Sequence, residues 1–188
     1  MIVVGIDEVG RGCWAGPLVA GAAVLDRPIK GLKDSKKLSK QQREILAVQI
    51  QATATAIGLG WVSAVELDEV GITAAVKLAM QRALDQINMP FDELIIDGNI
   101  NYFPDEPRAK AIIKADDTVT AVSAASIVAK VARDKYMAEM AQSYPAYGFE
   151  KHVGYGTKLH MDMLGLYGIT DLHRQSFKPI QLLMAAHK

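Results

Sequence analysis

Ile2-Val3-Val4-Gly5-Ile6-Asp7-Glu8-Val9-Gly10-Arg11-Gly12 is the stretch that decides the fold. Ile2 to Ile6 is short, apolar and rich in β-branched residues, the composition of a buried strand. Two adjacent acids follow at its end, which is costly at the edge of a core unless something binds them. Gly10 and Gly12, with Gly16 beyond, then turn the chain tightly.

Working outward, Pro17 to Leu25 reads as a second strand and Asp26 to Leu38 as a polar loop. Ser39 is a good N-cap with Gln42 at N3, so a helix is expected from there to about Ala52. Ile57 to Val62 is a third strand, and Ile72 to Ile87 carries apolar residues at helical spacing. Leu94 to Ile96 is a short strand ending on Asp97-Gly98, and Ala111 to Lys114 is another, ending near Asp116. Val119 to about Ser143 is a long helix that stops before Pro145. Tyr144 to Thr157 is a loop rich in Gly and Tyr, and one or two short helices finish the chain. Clustered strands followed by alternating strands and helices give an α/β class, a mixed sheet with helices on its faces and a helical C-terminal region over 145–188.

Length and composition set the bounds. The 188 residues suffice for one core, so 1–188 is read as a single domain, and half of them are hydrophobic. Lys and Arg total 21 against 21 Asp and Glu, so no global basic field announces a nucleic-acid partner. A single cysteine, Cys13, excludes a disulfide framework and a multi-cysteine zinc site. The N-terminus has no basic leader, and no stretch approaches the roughly 18–20 apolar residues of a membrane span. A cytoplasmic monomer without membrane contact is expected.

Three expected strands end in carboxylates: Asp7-Glu8, Asp97 and Asp116. Sites in open α/β sheets form outside the carboxyl ends of strands. Carboxylates that converge there repel one another, and a hard divalent cation, Mg²⁺ or Mn²⁺, resolves the conflict. Such a site suits phosphodiester hydrolysis. The competing explanation is that these acids are turn residues and helix caps.

The residues also carry a family likeness. Gly5 to Gly12 followed by Ala15-Gly16-Pro17-Leu18-Val19, then Asp34-Ser35-Lys36-Lys37-Leu38, resemble the opening blocks of the ribonuclease HII family. Ile96-Asp97-Gly98-Asn99, Lys114-Ala115-Asp116 and the run from Ser123 to Asp134 continue the resemblance in order. So do Tyr144 to Phe149, His152, Gly154 to Thr157 and His173 to Phe177. The resemblance implies a ribonuclease H-like mixed sheet and four metal-binding catalytic acids, Asp7, Glu8, Asp97 and Asp116. Asp117 and Asp134 are neighbouring acids; Asp116 is preferred for its Lys-X-Asp pattern, and a supporting role stays open for Asp134.

The same resemblance implies an endoribonuclease that hydrolyses the RNA strand of RNA/DNA hybrids. It also implies cutting 5′ to single ribonucleotides in duplex DNA through metal-activated water, leaving 5′-phosphate and 3′-hydroxyl ends. Removal of misincorporated ribonucleotides and RNA primers would be its roles. The Gly10-Arg11-Gly12 turn would sense the ribose 2′-hydroxyl together with Tyr155, whose ring would pack on the following sugar. Without the family, the glycines also fit a plain tight turn and Tyr155 a loop anchor.

For the duplex itself, Arg27 to Arg43 concentrates Lys30, Lys33, Lys36, Lys37 and Lys40, a patch fit for phosphates or simply a solvated loop. Ser35 and Lys36 are its candidate contacts. Ser123, Ser126 and Lys130 share one helix face, where a phosphate backbone or a close sheet contact explains the small residues. His152, His160 and His173 form no zinc motif. Gln181 to Met184 faintly resembles a replication sliding-clamp peptide, although a helix end accounts for it better.

Three rivals stand beside this reading. Ribonuclease HIII shares the core but carries an additional N-terminal domain, for which the early strand leaves no room. A non-catalytic hybrid-binding protein on the same fold would be expected to lack one of the acids. A sugar-kinase-like nucleotide binder would need a second domain and phosphate loops.

Overall fold

The computed structural model describes residues 1–32 and 37–186, and the candidate contacts Ser35 and Lys36 lie outside the described residues. The sheet is five-stranded and mixed, as expected, in the order β3-β2-β1-β4-β5. β1 (Val3–Val9) is central, antiparallel to β2 (Leu18–Val24) and parallel to β4 (Glu93–Asp97). β3 (Ala56–Val62) pairs antiparallel with β2, and β5 (Ala109–Ile112) pairs parallel with β4.

Helices cover both faces. α3 (Ile72–Leu84) lies on one, where Val4, Ile6, Leu18, Leu94, Ile96 and Met80 form the largest core. Each fully buried Ile or Leu there contributes about 1.5–3 kcal/mol relative to an exposed one. α5 (Thr120–Ser143) lies on the other face and is joined there by α1 (Lys40–Thr53). Its backbone comes unusually close to the sheet. A Cβ on Gly5 would stand 2.2 Å from Val122 N, and one on Gly21 would stand 2.3 Å from Ala125 O. Glycine in β1 and β2 is therefore what seats α5, and the small residues at the start of that helix serve the same approach. A third core, built on Met137, Tyr147, Phe149, Leu164 and Ile180, gathers α6 (Phe149–His152), α7 (Lys158–Tyr167) and α8 (Lys178–Ala186).

Ser39 and Gln42 make the expected reciprocal cap of α1. An equivalent box at Ser63 and Glu66 opens α2 (Ala64–Val70), a helix the sequence reading did not anticipate. Gly71 ends it at φ 79° and starts α3, so two helices adjoin where the sequence pattern predicts one. β5 lies two residues earlier than expected. Asp116 therefore sits on a short helix, α4 (Ala115–Thr118), instead of at a strand end. Among the described residues no helix is long and apolar enough to cross a membrane.

Candidate active site

Strand alternation positions the first two acids. Gly5 faces α5, so Asp7, two residues on, faces α5 as well. Ile95 of β4 packs with Val122 of α5, so Asp97 points to the same side. Ile6 is paired with Ile96, which places Asp7 and Asp97 next to each other where the parallel ladder ends. α4 adds Asp116. One carboxylate oxygen from each of Asp7, Asp97 and Asp116 lies within 4.8 Å of the others.

The backbone holds this cluster in place. Lys114 takes a left-handed conformation, φ 59°, and turns the chain from β5 into α4. Asp97 Oδ1 accepts from Ala115 N at 2.7 Å and from Asp116 N at 3.4 Å, tying β4 to that helix. Ser123 donates its hydroxyl to the Asp116 carbonyl at 2.5 Å. Asp7 Oδ1 accepts from Glu8 N at 2.8 Å.

Burial, with the Glu8 and Asp97 charges behind it, pushes the Asp7 carboxyl up to about 8, against a hydrogen bond from Ser126 that lowers it. Three hard oxygen donors, two of them buried, crowd together at a mutual electrostatic cost. A small divalent cation with oxygen preference, Mg²⁺ or Mn²⁺, fits this donor set and offsets that cost.

Glu8 alternates away from the cluster but lines the same cavity, of about 260 Å³, with Arg11 Nη1 3.8 Å from its carboxylate. Gly10, Arg11, Gly12, Ser126, Lys130 and Tyr155 also line that cavity. Ser123 does not, because its hydroxyl is committed to the backbone of α4. Lys130 pairs with Asp134 at 2.7 Å, and Asp117 pairs with Lys37, so neither of these other acids joins the cluster.

The two glycines of the turn differ. Gly10 has φ +88°, and a Cβ there would stand 2.3 Å from Arg133 Nε. A Cβ on Gly12 would meet nothing within 4 Å, so the fold itself does not require glycine there. Tyr155 is 42% exposed, and its carbonyl accepts from Thr157 N at 2.8 Å.

The buried histidines form a chain of neutral rings. Thr170 N donates to His173 Nδ1 at 2.9 Å, so His173 Nε2 carries the proton and donates to His160 Nε2 at 3.0 Å. His160 Nδ1 then donates to the Tyr155 carbonyl at 3.0 Å. Burial lowers both His160 and His173 to about 4. His152 stacks on His160 and accepts from Gly154 N. These hydrogen bonds tie the Tyr155 loop to α7 and to the turn at residues 170–173.

Two residues near the site carried no signal in the sequence reading. Arg43 of α1 lines the cavity and donates to the Leu38 carbonyl at 2.6 Å; it sat unremarked at the end of the basic segment. Tyr102 has a buried hydroxyl beside Arg11 and Glu8, and burial raises it above its ordinary value. At the C-terminus, Gln181 to Met184 belongs to α8, and Leu183 and Met184 pack on the third core.

Comparison with known proteins gives a consistent family likeness. The family model for ribonuclease HII matches residues 4–180. A ribonuclease HII from Marinomonas sp. (strain MWYL1) is 46% identical over 186 residues, covering 97% of this chain and 93% of that protein. The crystal structure of ribonuclease H2 from Pyrococcus horikoshii OT3 superposes with a TM-score of 0.84 at 27% identity, covering 99% of this chain and 98% of that one. The ribonuclease HII in a PCNA complex from Archaeoglobus fulgidus gives 0.81 at 27% identity, over 95% of this chain and 96% of that one.

Proposed function

The chain belongs to the ribonuclease HII family, and from that premise we propose that it cuts on the 5′ side of single ribonucleotides embedded in duplex DNA, as well as along RNA/DNA hybrids. The chain is a ribonuclease of the type that cleaves RNA paired with DNA. Residues 1–188 are taken to act as one catalytic unit. The convergence of Asp7, Asp97 and Asp116 is the observation that carries the reading.

Those three carboxylates, with Glu8 at the cavity wall, are the proposed ligands of Mg²⁺ or Mn²⁺. When bound, the metal supplies Lewis-acid stabilisation of the charge that builds on the phosphate. The chain's own groups do the rest. The backbone at Gly12 is open enough for a ribose 2′-hydroxyl to come within hydrogen-bond distance. The exposed ring of Tyr155 offers an apolar face to the next sugar. Ser126, Lys130 and Arg43 offer a hydroxyl and cationic groups along the cavity for phosphate oxygens. Water adds to phosphorus, the bond to the 3′-oxygen breaks, and a proton passes to that oxygen. The products are 5′-phosphate and 3′-hydroxyl ends.

A DNA duplex with one ribonucleotide, labelled at either end of that strand, tests the proposal. A single cut 5′ to the ribonucleotide, abolished by chelator, is the expected result. Binding without cutting under any divalent metal would leave the hybrid-binding alternative.

A further inference from the structure

The Gly10-Arg11-Gly12 turn and the Tyr155 loop are far apart in sequence, yet one buried side chain joins them. Arg133 of α5 is fully buried, and each of its three guanidinium nitrogens donates to a backbone carbonyl. Nε donates to Pro17 O at 2.8 Å and Nη2 to Ala15 O at 3.1 Å, both on the chain leaving the turn. Nη1 donates to Val153 O at 2.8 Å, two residues before Tyr155. The turn itself rests on the guanidinium, since even a Cβ on Gly10 would collide with Nε.

The Tyr155 side is under strain. Val153 has φ 45°, a left-handed conformation that a β-branched residue rarely adopts. Its carbonyl is the one held by Arg133 Nη1. Only a planar fork can aim at three carbonyls in these fixed directions; an ammonium cannot.

We propose that Arg133 is a positioning residue that sets the spacing between the turn and the Tyr155 ring, and so the preference for a ribonucleotide over a deoxyribonucleotide. This rests on the function proposed above. Arg133 touches no substrate; it acts by holding the two recognition elements ready before the duplex arrives.

The test compares native protein with Arg133→Lys, which keeps the charge and loses the fork, and with Arg133→Gln as a second variant should the first not fold. Circular dichroism checks folding. Fluorescence anisotropy, in an Asp97→Asn background, reads affinity for a one-ribonucleotide duplex and for the all-DNA duplex of the same sequence. Cleavage in the native background reads KM and kcat. A folded Arg133→Lys is expected to bind all-DNA duplex as before, while its ribonucleotide preference falls about 10-fold or more and KM rises more than kcat falls. An unchanged preference in the folded variant, or equal losses on both duplexes, overturns the proposal. A native protein that prefers the ribonucleotide duplex without cutting it would sink the catalytic reading, and the same ratio would still judge Arg133. A native protein with no preference at all overturns the Arg133 proposal directly.

Discussion

Asp7 and Asp97 leave adjacent parallel strands on one face of the sheet, with carboxylate oxygens within 4.8 Å of each other and of Asp116. That arrangement stores repulsion in the metal-free protein and releases it when a cation binds. Mg²⁺ or Mn²⁺ at 100 times its dissociation constant should stabilise the fold by about 2.7 kcal/mol, roughly 5–10 °C in Tm for a chain of this size. Thermal denaturation against metal concentration checks this.

Asp7→Asn removes the carboxyl that burial pushes up to about 8, and with it the cost of ionising or protonating it in the fold, and keeps the side-chain oxygen that accepts from Glu8 N. The metal-free variant should melt higher than the native protein, by about 2–4 °C for each kcal/mol of that cost relieved, and should lose both activity and the metal-induced shift. A lower Tm would mean that the cluster is not strained.

The turn glycines should separate by mutation. Gly10→Ala puts a Cβ against Arg133 in a left-handed backbone, so stability should fall by about 1–3 kcal/mol and activity with it. Gly12→Ala meets open space, so stability should stay within about 0.5 kcal/mol. Its cleavage of a one-ribonucleotide duplex should nevertheless fall, because the added methyl stands where the 2′-hydroxyl approaches. Denaturant melts and turnover of both variants decide the matter.

The histidine chain predicts a pH dependence of stability. His160 and His173 are lowered from 6.5 to about 4 in the folded protein. Below the unfolded value the unfolded chain binds more protons, so their stabilising contribution is complete above pH 6.5 and is lost as pH falls toward 4. The limiting slope is about 1.4 kcal/mol per pH unit for each ring. Unfolding free energies between pH 4 and 7 should show it, and His160→Gln should reduce the slope. An unchanged slope would contradict the assignment.

Much of this was legible in the sequence because backbone periodicity carried it. The β-branched run before Asp7, the cap at Ser39 and the helical spacing after Ile72 each depend on near neighbours, and each formed where expected. Asp116 was read at a strand end but is delivered by a left-handed Lys114 into α4, a local conformation that a lysine does not advertise. α2 has the same capping box as α1 but only seven residues, too few for a periodic pattern to show. Arg133 was invisible for a different reason. A charged residue on a helix reads as solvent-facing, and only the tertiary fold brings three carbonyls around it.

The central claim, that Asp97 and its neighbours hold the metal that cleaves the strand, is tested most directly with Asp97→Asn. Asparagine keeps an oxygen to accept from Ala115 N and removes only the charge. Cleavage of the one-ribonucleotide duplex by native protein and variant would be followed in Mg²⁺ and in Mn²⁺. A folded variant with activity reduced about 100-fold or more in either metal is the expected result. A folded variant that cuts at the native rate would contradict the claim.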